Sequence, residues 1–139
     1  MPSDSRTDPR GLRFAAAVTT VVLIVVLATG NVWVLAAQAM VFLLGVFGAS
    51  PYGLVFASVI RPRLGPPAEL EDAAPPRFAQ GVGLVFALAG IVGFIAQSPP
   101  LAYGATACAL LAAFLNAAFG LCLGCQMYLI LRRLLPTTR

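Results

Sequence analysis

Two cysteines three positions apart, Cys122 and Cys125, are the residues of this chain best placed to do chemistry. Two intervening residues let the sulfurs come within bridging reach, and a helix amino end lowers the pKa of a thiol placed there. In thiol–disulfide exchange Cys122 would be the attacking thiol and Cys125 the resolving one. The competing reading is structural: free cysteine packs as a small hydrophobe, and apolar neighbours leave a thiol inert. Asn116 and Gln126, on either side of the pair, are the candidate binding residues; Asn116 and Gln38 are polar groups inside apolar runs that can hydrogen-bond to a neighbouring helix or line a substrate path. Cys108 is left over and is expected to be buried.

The pair lies in Asn116 to Arg133, an uncharged run that ends on two arginines. The whole chain is 60% hydrophobic and 10% charged, whereas a soluble domain is about 45–50% apolar and about 25% charged. This is the composition of a membrane protein. The net charge of +4 comes from arginine alone, and every arginine flanks an apolar run. Membrane orientation explains that better than nucleic-acid binding, for which no interleaved basic and aromatic surface is present. With no histidine in the chain, a four-ligand zinc site would need donors from elsewhere, so neither metal nor cofactor is expected.

The fold class that follows is all-α, a polytopic membrane bundle of four transmembrane helices. Residues 1–13 are polar and read as a cytoplasmic tail. The 47 uncharged residues from Phe14 to Ile60 would measure about 70 Å as one helix against about 30 Å of hydrocarbon, so they must cross twice. Thr29-Gly30-Asn31 is the natural break, giving crossings at 14–29 and 32–49 with Trp33 at the far interface. A cleaved signal peptide is the alternative for the first run, but its removal would spoil the charge pattern. Ser50-Pro51-Tyr52-Gly53 ends the second crossing, and 51–61 is expected along the interface. The loop 62–77 is rich in proline and carries Glu69, Glu71 and Asp72. From Phe78 to Leu131 there is room for crossings at 78–97 and 101–119, divided at Ser98-Pro99-Pro100. An interfacial segment at 121–135 completes a single transmembrane domain at 14–135. Four crossings put all nine arginines on one side, which by the positive-inside rule makes both termini cytoplasmic.

The chain also reads as a doubled unit of two tandem hairpins. Arg13-Phe14-Ala15 opens the first half and Arg77-Phe78-Ala79 the second; Ser50-Pro51-Tyr52-Gly53 through Arg61 then corresponds to Cys122-Leu123-Gly124-Cys125 through Arg132. Parallel repeats of this kind are related by an axis along the membrane normal. The first copy makes the same junction without a thiol, so cysteines are not needed merely to make that bend. Gly120 and Gly124, Gly83 and Ala87, and Gly45 and Ala49 have the four-residue spacing that lets helices approach closely. No acid or base lies inside a crossing, which removes the usual marks of a proton-driven pump.

Pro75-Pro76-Arg77-Phe78-Ala79-Gln80, the run Phe114 to Cys125 with its Asn-x-x-Phe-Gly before the cysteine motif, and Tyr128-Leu129 together resemble an uncharacterised bacterial integral membrane family, domain of unknown function 4395 (DUF4395). The resemblance covers nearly the whole chain, from Asp8 to Arg133. It implies a small polytopic protein, often encoded near thioredoxin-like proteins and thiosulfate sulfurtransferases. In that family an acidic residue often follows the second cysteine, where this chain has Gln126.

These observations favour a multi-pass protein of the bacterial inner membrane whose cysteine pair handles thiols or transfers sulfur. Its expected partners are the bilayer and a cytoplasmic thioredoxin-like or sulfurtransferase protein; a homo-oligomer is compatible with the sequence. The alternatives are a non-catalytic scaffold or subunit and a small-solute permease.

Overall fold

A computed structural model describes residues 6–66, 71–72 and 74–134. The chain forms α1 (Pro9–Thr29), α2 (Val32–Val46), α3 (Pro51–Val55), a π-helical turn (Phe56–Ile60), α4 (Arg61–Leu64), α5 (Ala74–Ile95), α6 (Pro99–Phe119) and α7 (Leu123–Leu134). The fold is all-α. A two-residue antiparallel pairing of Arg6 with Asp72 and Thr7 with Glu71 joins the amino end to the central loop.

The helix ends follow local chemistry. Gly30 takes a left-handed φ of 66° and closes α1, and the Asn31 side chain at once accepts the Trp33 N–H at 2.9 Å to open α2. This is the break expected at Thr29-Gly30-Asn31. The second hairpin turns at Gln97, Ser98 and Pro99, with Pro99 in the first turn of α6, where its missing N–H costs nothing.

Three bounds depart from the hydropathy reading. Helix α1 begins at Pro9, not at Phe14, because Asp8 caps it: its carboxylate accepts the Arg10 N–H at 3.0 Å. Helix α2 stops at Val46, short of Ala49, because the chain turns through Gly48 at a φ of 82°. The segment after Ser50 stays helical to Leu64, and α5 begins at Ala74 with Pro75 and Pro76 in its first turn, so the expected loop at 62–77 shrinks from both sides. Residues 1–5, 67–70, 73 and 135–139 fall outside the described residues.

Helices α1, α5 and α6 are each long and apolar enough to cross a membrane. Helix α2, with 15 residues, would reach only about 22 Å. It qualifies as a fourth span when taken with Pro51–Leu64, from which it is bent by 75°.

Helix α1 packs on α6 and α5 on α2, so the first helix of each hairpin lies against the second helix of the other. Helix α5 also lies along α6, and Leu23, Val26, Leu35, Phe42, Ala87 and Ala109 close the centre. Helices come close where α5 is small: Gly93 lies against the Ala102 backbone, Gly90 meets the Leu35 and Thr106 side chains, and Gly83 meets the Phe42 ring. Inside the first hairpin, Gln38, 1% exposed, donates to Thr19 Oγ1 at 3.3 Å and accepts from the Tyr52 hydroxyl at 2.7 Å, which satisfies a buried amide.

The two halves are also clasped at one end in the same way. Arg13 Nη2 donates to the Ala117 and Ala118 carbonyls at 3.0 and 3.3 Å, at the end of α6. Arg77 Nε donates to the Val46 carbonyl at 2.8 Å, at the end of α2. Each cation meets the carbonyl end of a helix from the other hairpin, where the backbone leaves acceptors unpaired and partial negative charge accumulates. These contacts bring the start of α1, the ends of α2 and α6 and the start of α5 to one end of the bundle, so the described arginines gather there.

Candidate functional site

Helix α6 ends in a left-handed glycine cap. Gly120, at a φ of 70°, donates to the Asn116 carbonyl at 2.9 Å, and Leu121 donates to the Leu115 carbonyl at 3.2 Å. Two residues later α7 begins, with Cys122 in the capping position. The Cys122 Sγ accepts the Cys125 N–H at 3.2 Å, and the Cys122 carbonyl accepts the Gln126 N–H at 3.0 Å. Cys122 and Cys125 are joined as a disulfide, with their Cα atoms 5.2 Å apart. Both are half-buried.

Helix α7 is seated on the start of α5. Gly124, inside the Cys-x-x-Cys segment, lies so close to Ala79 that a methyl group added to it would stand 2.5 Å from the Ala79 Cβ. One turn on, the Tyr128 ring meets Phe78 with centroids 5.6 Å apart, and Arg132 lies over Tyr128 at 5.8 Å. The disulfide is therefore held at a fixed place against α5 on one flank and left half open on the other.

The first half builds the same junction with different chemistry. Ser50 caps α3 and its Oγ accepts the Gly53 N–H at 3.3 Å, as Cys122 does for Cys125. Tyr52 stands where Gly124 stands in the second copy, and is tied to Gln38 by its hydroxyl. One junction is anchored by a polar side chain reaching into the bundle, the other by a glycine–alanine contact and a sulfur bridge.

Four expectations resolve differently. Gly120 and Gly124 do not form one packing face: Gly120 terminates α6 and Gly124 alone makes the close approach. Ala49 lies beyond the end of α2 and is exposed, so it forms no packing pair with Gly45. Cys108, expected to be buried, is exposed on the outer surface of α6. Asn116 is half-buried and makes no side-chain hydrogen bond among the described residues, while its carbonyl serves the Gly120 cap. Gln126 is exposed one position beyond the disulfide. Arg13, Arg77 and Tyr52 were not singled out from the sequence as contact residues; the repeated Arg-Phe-Ala was the available signal for the first two.

A second polar cluster forms at the same end. Asp8, 8% exposed, accepts from Arg10 Nε and Nη2 at 3.1 and 3.0 Å and lies 3.7 Å from Arg61 Nε, while Arg10 Nη2 also reaches the Gly65 carbonyl at 2.9 Å. The hydrogen bonds from Arg10 hold the Asp8 carboxyl below the usual carboxylate range, against the opposing effect of burial.

A helical bundle with three or four spans and a disulfide at its charged end is compatible with a multi-pass membrane protein. The chain belongs to the family described as domain of unknown function (DUF4395), whose model matches residues 7–133. No curated protein and no solved structure matches it.

Proposed function

We propose that this protein is a membrane component of thiol–disulfide exchange or sulfur transfer, in which Cys122 and Cys125 cycle between a disulfide and two thiols. The observation that carries this reading is Cys122 at the capping position of α7, its sulfur accepting the Cys125 N–H. That position puts the Cys122 sulfur at the amino end of a helix, beside its free backbone N–H groups. A thiolate of a partner dithiol attacks Cys122 Sγ, Cys125 leaves as a thiolate, and a mixed disulfide forms. The partner's second thiolate then attacks its own sulfur in that bond and releases Cys122 as a thiolate. Two electrons pass to the pair, the partner is left as a disulfide, and its protons go to solvent or to the released thiolates. Read backwards, Cys122 is the attacking thiol and Cys125 the resolving one. Asn116 and Gln126 are proposed as binding residues flanking the pair.

The arginines at one end of the bundle support the inner membrane with both termini in the cytoplasm, and the partner is then a cytoplasmic thioredoxin-like or sulfurtransferase protein. The test is a Cys125→Ser variant, which cannot resolve a mixed disulfide. A partner retained on Cys122 and released by reductant is the expected result. Recovery of only free Cys122 from cells supplied with oxidant would remove the exchange reading and leave a scaffold.

A further inference from the structure

The faces of α7 are chemically distinct. Gly124 and Tyr128 meet α5. Leu123, Met127, Ile130 and Leu134 recur at three- and four-residue intervals and are exposed, forming an apolar stripe. Cys122, Cys125, Gln126, Leu129, Arg132 and Arg133 recur at the same intervals on the remaining side. There Leu129 is 43% exposed, an apolar residue in an otherwise polar stripe, and Gln126, Arg132 and Arg133 are exposed as well. The apolar stripe suits the hydrocarbon border, which turns the sulfur-bearing side toward water.

That side carries two exposed arginines, Arg132 and Arg133. Arg61 lies 3.7 Å from Asp8. Asp8, the one acid whose side chain is among the described residues, pairs with Arg10 and Arg61 and not with Arg132 or Arg133, and Arg132 lies over the Tyr128 ring. Two exposed cations, an exposed leucine and a half-open disulfide thus share one helix face within about three turns.

We infer that this face of α7 is the docking surface for an acidic thiol protein, whose carboxylates meet Arg132 and Arg133, whose apolar rim covers Leu129, and whose cysteine reaches Cys122. The inference rests on the exchange reading above and adds to it the chemistry of the partner. Opposite charge raises the encounter rate and fixes register more than it adds affinity.

The test uses the full chain in neutral phosphatidylcholine nanodiscs. Reduction of the Cys122–Cys125 disulfide is followed with two short dithiol peptides, one rich in aspartate and one rich in lysine. The aspartate peptide should react about tenfold faster at low ionic strength, and the difference should collapse in about 1 M salt, where the Debye length is about 3 Å. It should also collapse in Arg132→Gln/Arg133→Gln but persist in Arg63→Gln, which removes an exposed cation from α4. Equal rates for both peptides, or a preference that survives in the double variant, would overturn the docking surface and leave exchange intact. A disulfide that neither peptide reduces in the folded protein, but that reductant opens after denaturation, would instead overturn the exchange reading itself. Loss of the preference in discs containing phosphatidylglycerol would assign the two arginines to lipid headgroups and would also overturn the inference.

Discussion

Ser50 and Cys122 occupy corresponding places after the second helix of each hairpin, and the difference between them is a sulfur pair present in one junction and not in the other. Each follows a helix that ends under an arginine from the other hairpin, and each accepts the N–H three residues on to open the next helix. In the first junction the cap is a hydroxyl, the third residue is Gly53, and Tyr52 reaches back to the buried Gln38. In the second junction the cap is a sulfur, the third residue is its bonding partner, and a glycine stands at the tyrosine's place, in close contact with Ala79 of α5. The bend therefore needs a cap and not a thiol. The first junction makes its turn with no thiol in it.

The largest way to break this comparison is to put bulk between α7 and α5. Gly124→Val should destabilise the protein by about 1–3 kcal/mol through overpacking against Ala79, read as a lowered unfolding midpoint and faster hydrogen exchange along α7. Gly53→Ala is the control: its added methyl would meet only Ser50, at 3.7 Å, so the midpoint should barely move. Equal losses at both positions would mean that the junctions are not seated differently. Next in size is Tyr52→Phe, which leaves the Gln38 oxygen without its donor and should cost about 0.6–2 kcal/mol while leaving the alkylation rate of reduced Cys122 unchanged. A change in that rate would show that the two junctions are coupled.

The comparison can be sharpened by transplanting the pair. Ser50 and Gly53 have the capping geometry of Cys122 and Cys125, so Ser50→Cys/Gly53→Cys in a chain lacking the native pair should form a disulfide under mild oxidant, detected as loss of free thiol. Failure to oxidise would mean that the α7 seat, and not the cap alone, brings the sulfurs together.

The smallest expected effect is a pH dependence confined to the first half. Asp8 has its carboxyl held below the ordinary range by Arg10. Its contribution is therefore complete above the unfolded carboxylate range and is lost as pH falls through the lower folded value. The unfolding midpoint should fall on acidification below about pH 4, and Asp8→Asn should flatten part of that fall. An unaltered acid limb in the variant would remove Asp8 from the account.

Much of the architecture was legible because turn chemistry is local. Gly30 and Asn31 announced one hairpin, and Ser98 and Pro99 the other. Arg10 and Arg13 interrupt the hydropathy of α1, so its true start was visible only through Pro9 and the capping Asp8. The early end of α2 was hidden because Phe47-Gly48-Ala49 is as apolar as the helix before it. Cys108 was misplaced because an apolar residue in such a bundle is equally at home against lipid or another helix, and hydrophobicity alone does not choose. The glycine spacing at Gly120 and Gly124 misled because four-residue spacing implies a shared face only within one helix, and α6 ends between them. The site itself was half legible. The cysteine pair stood out, whereas the arginine clasp and the α7 seat depend on contacts between hairpins that no spacing reveals.

The central claim is that the sulfur pair lies at the arginine-bearing end of a membrane bundle and can be opened and closed there. It is tested most directly in a Cys108→Ala chain in oriented vesicles, using a membrane-impermeant maleimide before and after a mild dithiol. The account predicts no labelling of the oxidised protein and labelling of Cys122 and Cys125 after reduction, only when the face carrying the arginines is outermost. Labelling that requires denaturation, or that occurs from the opposite face, would contradict it.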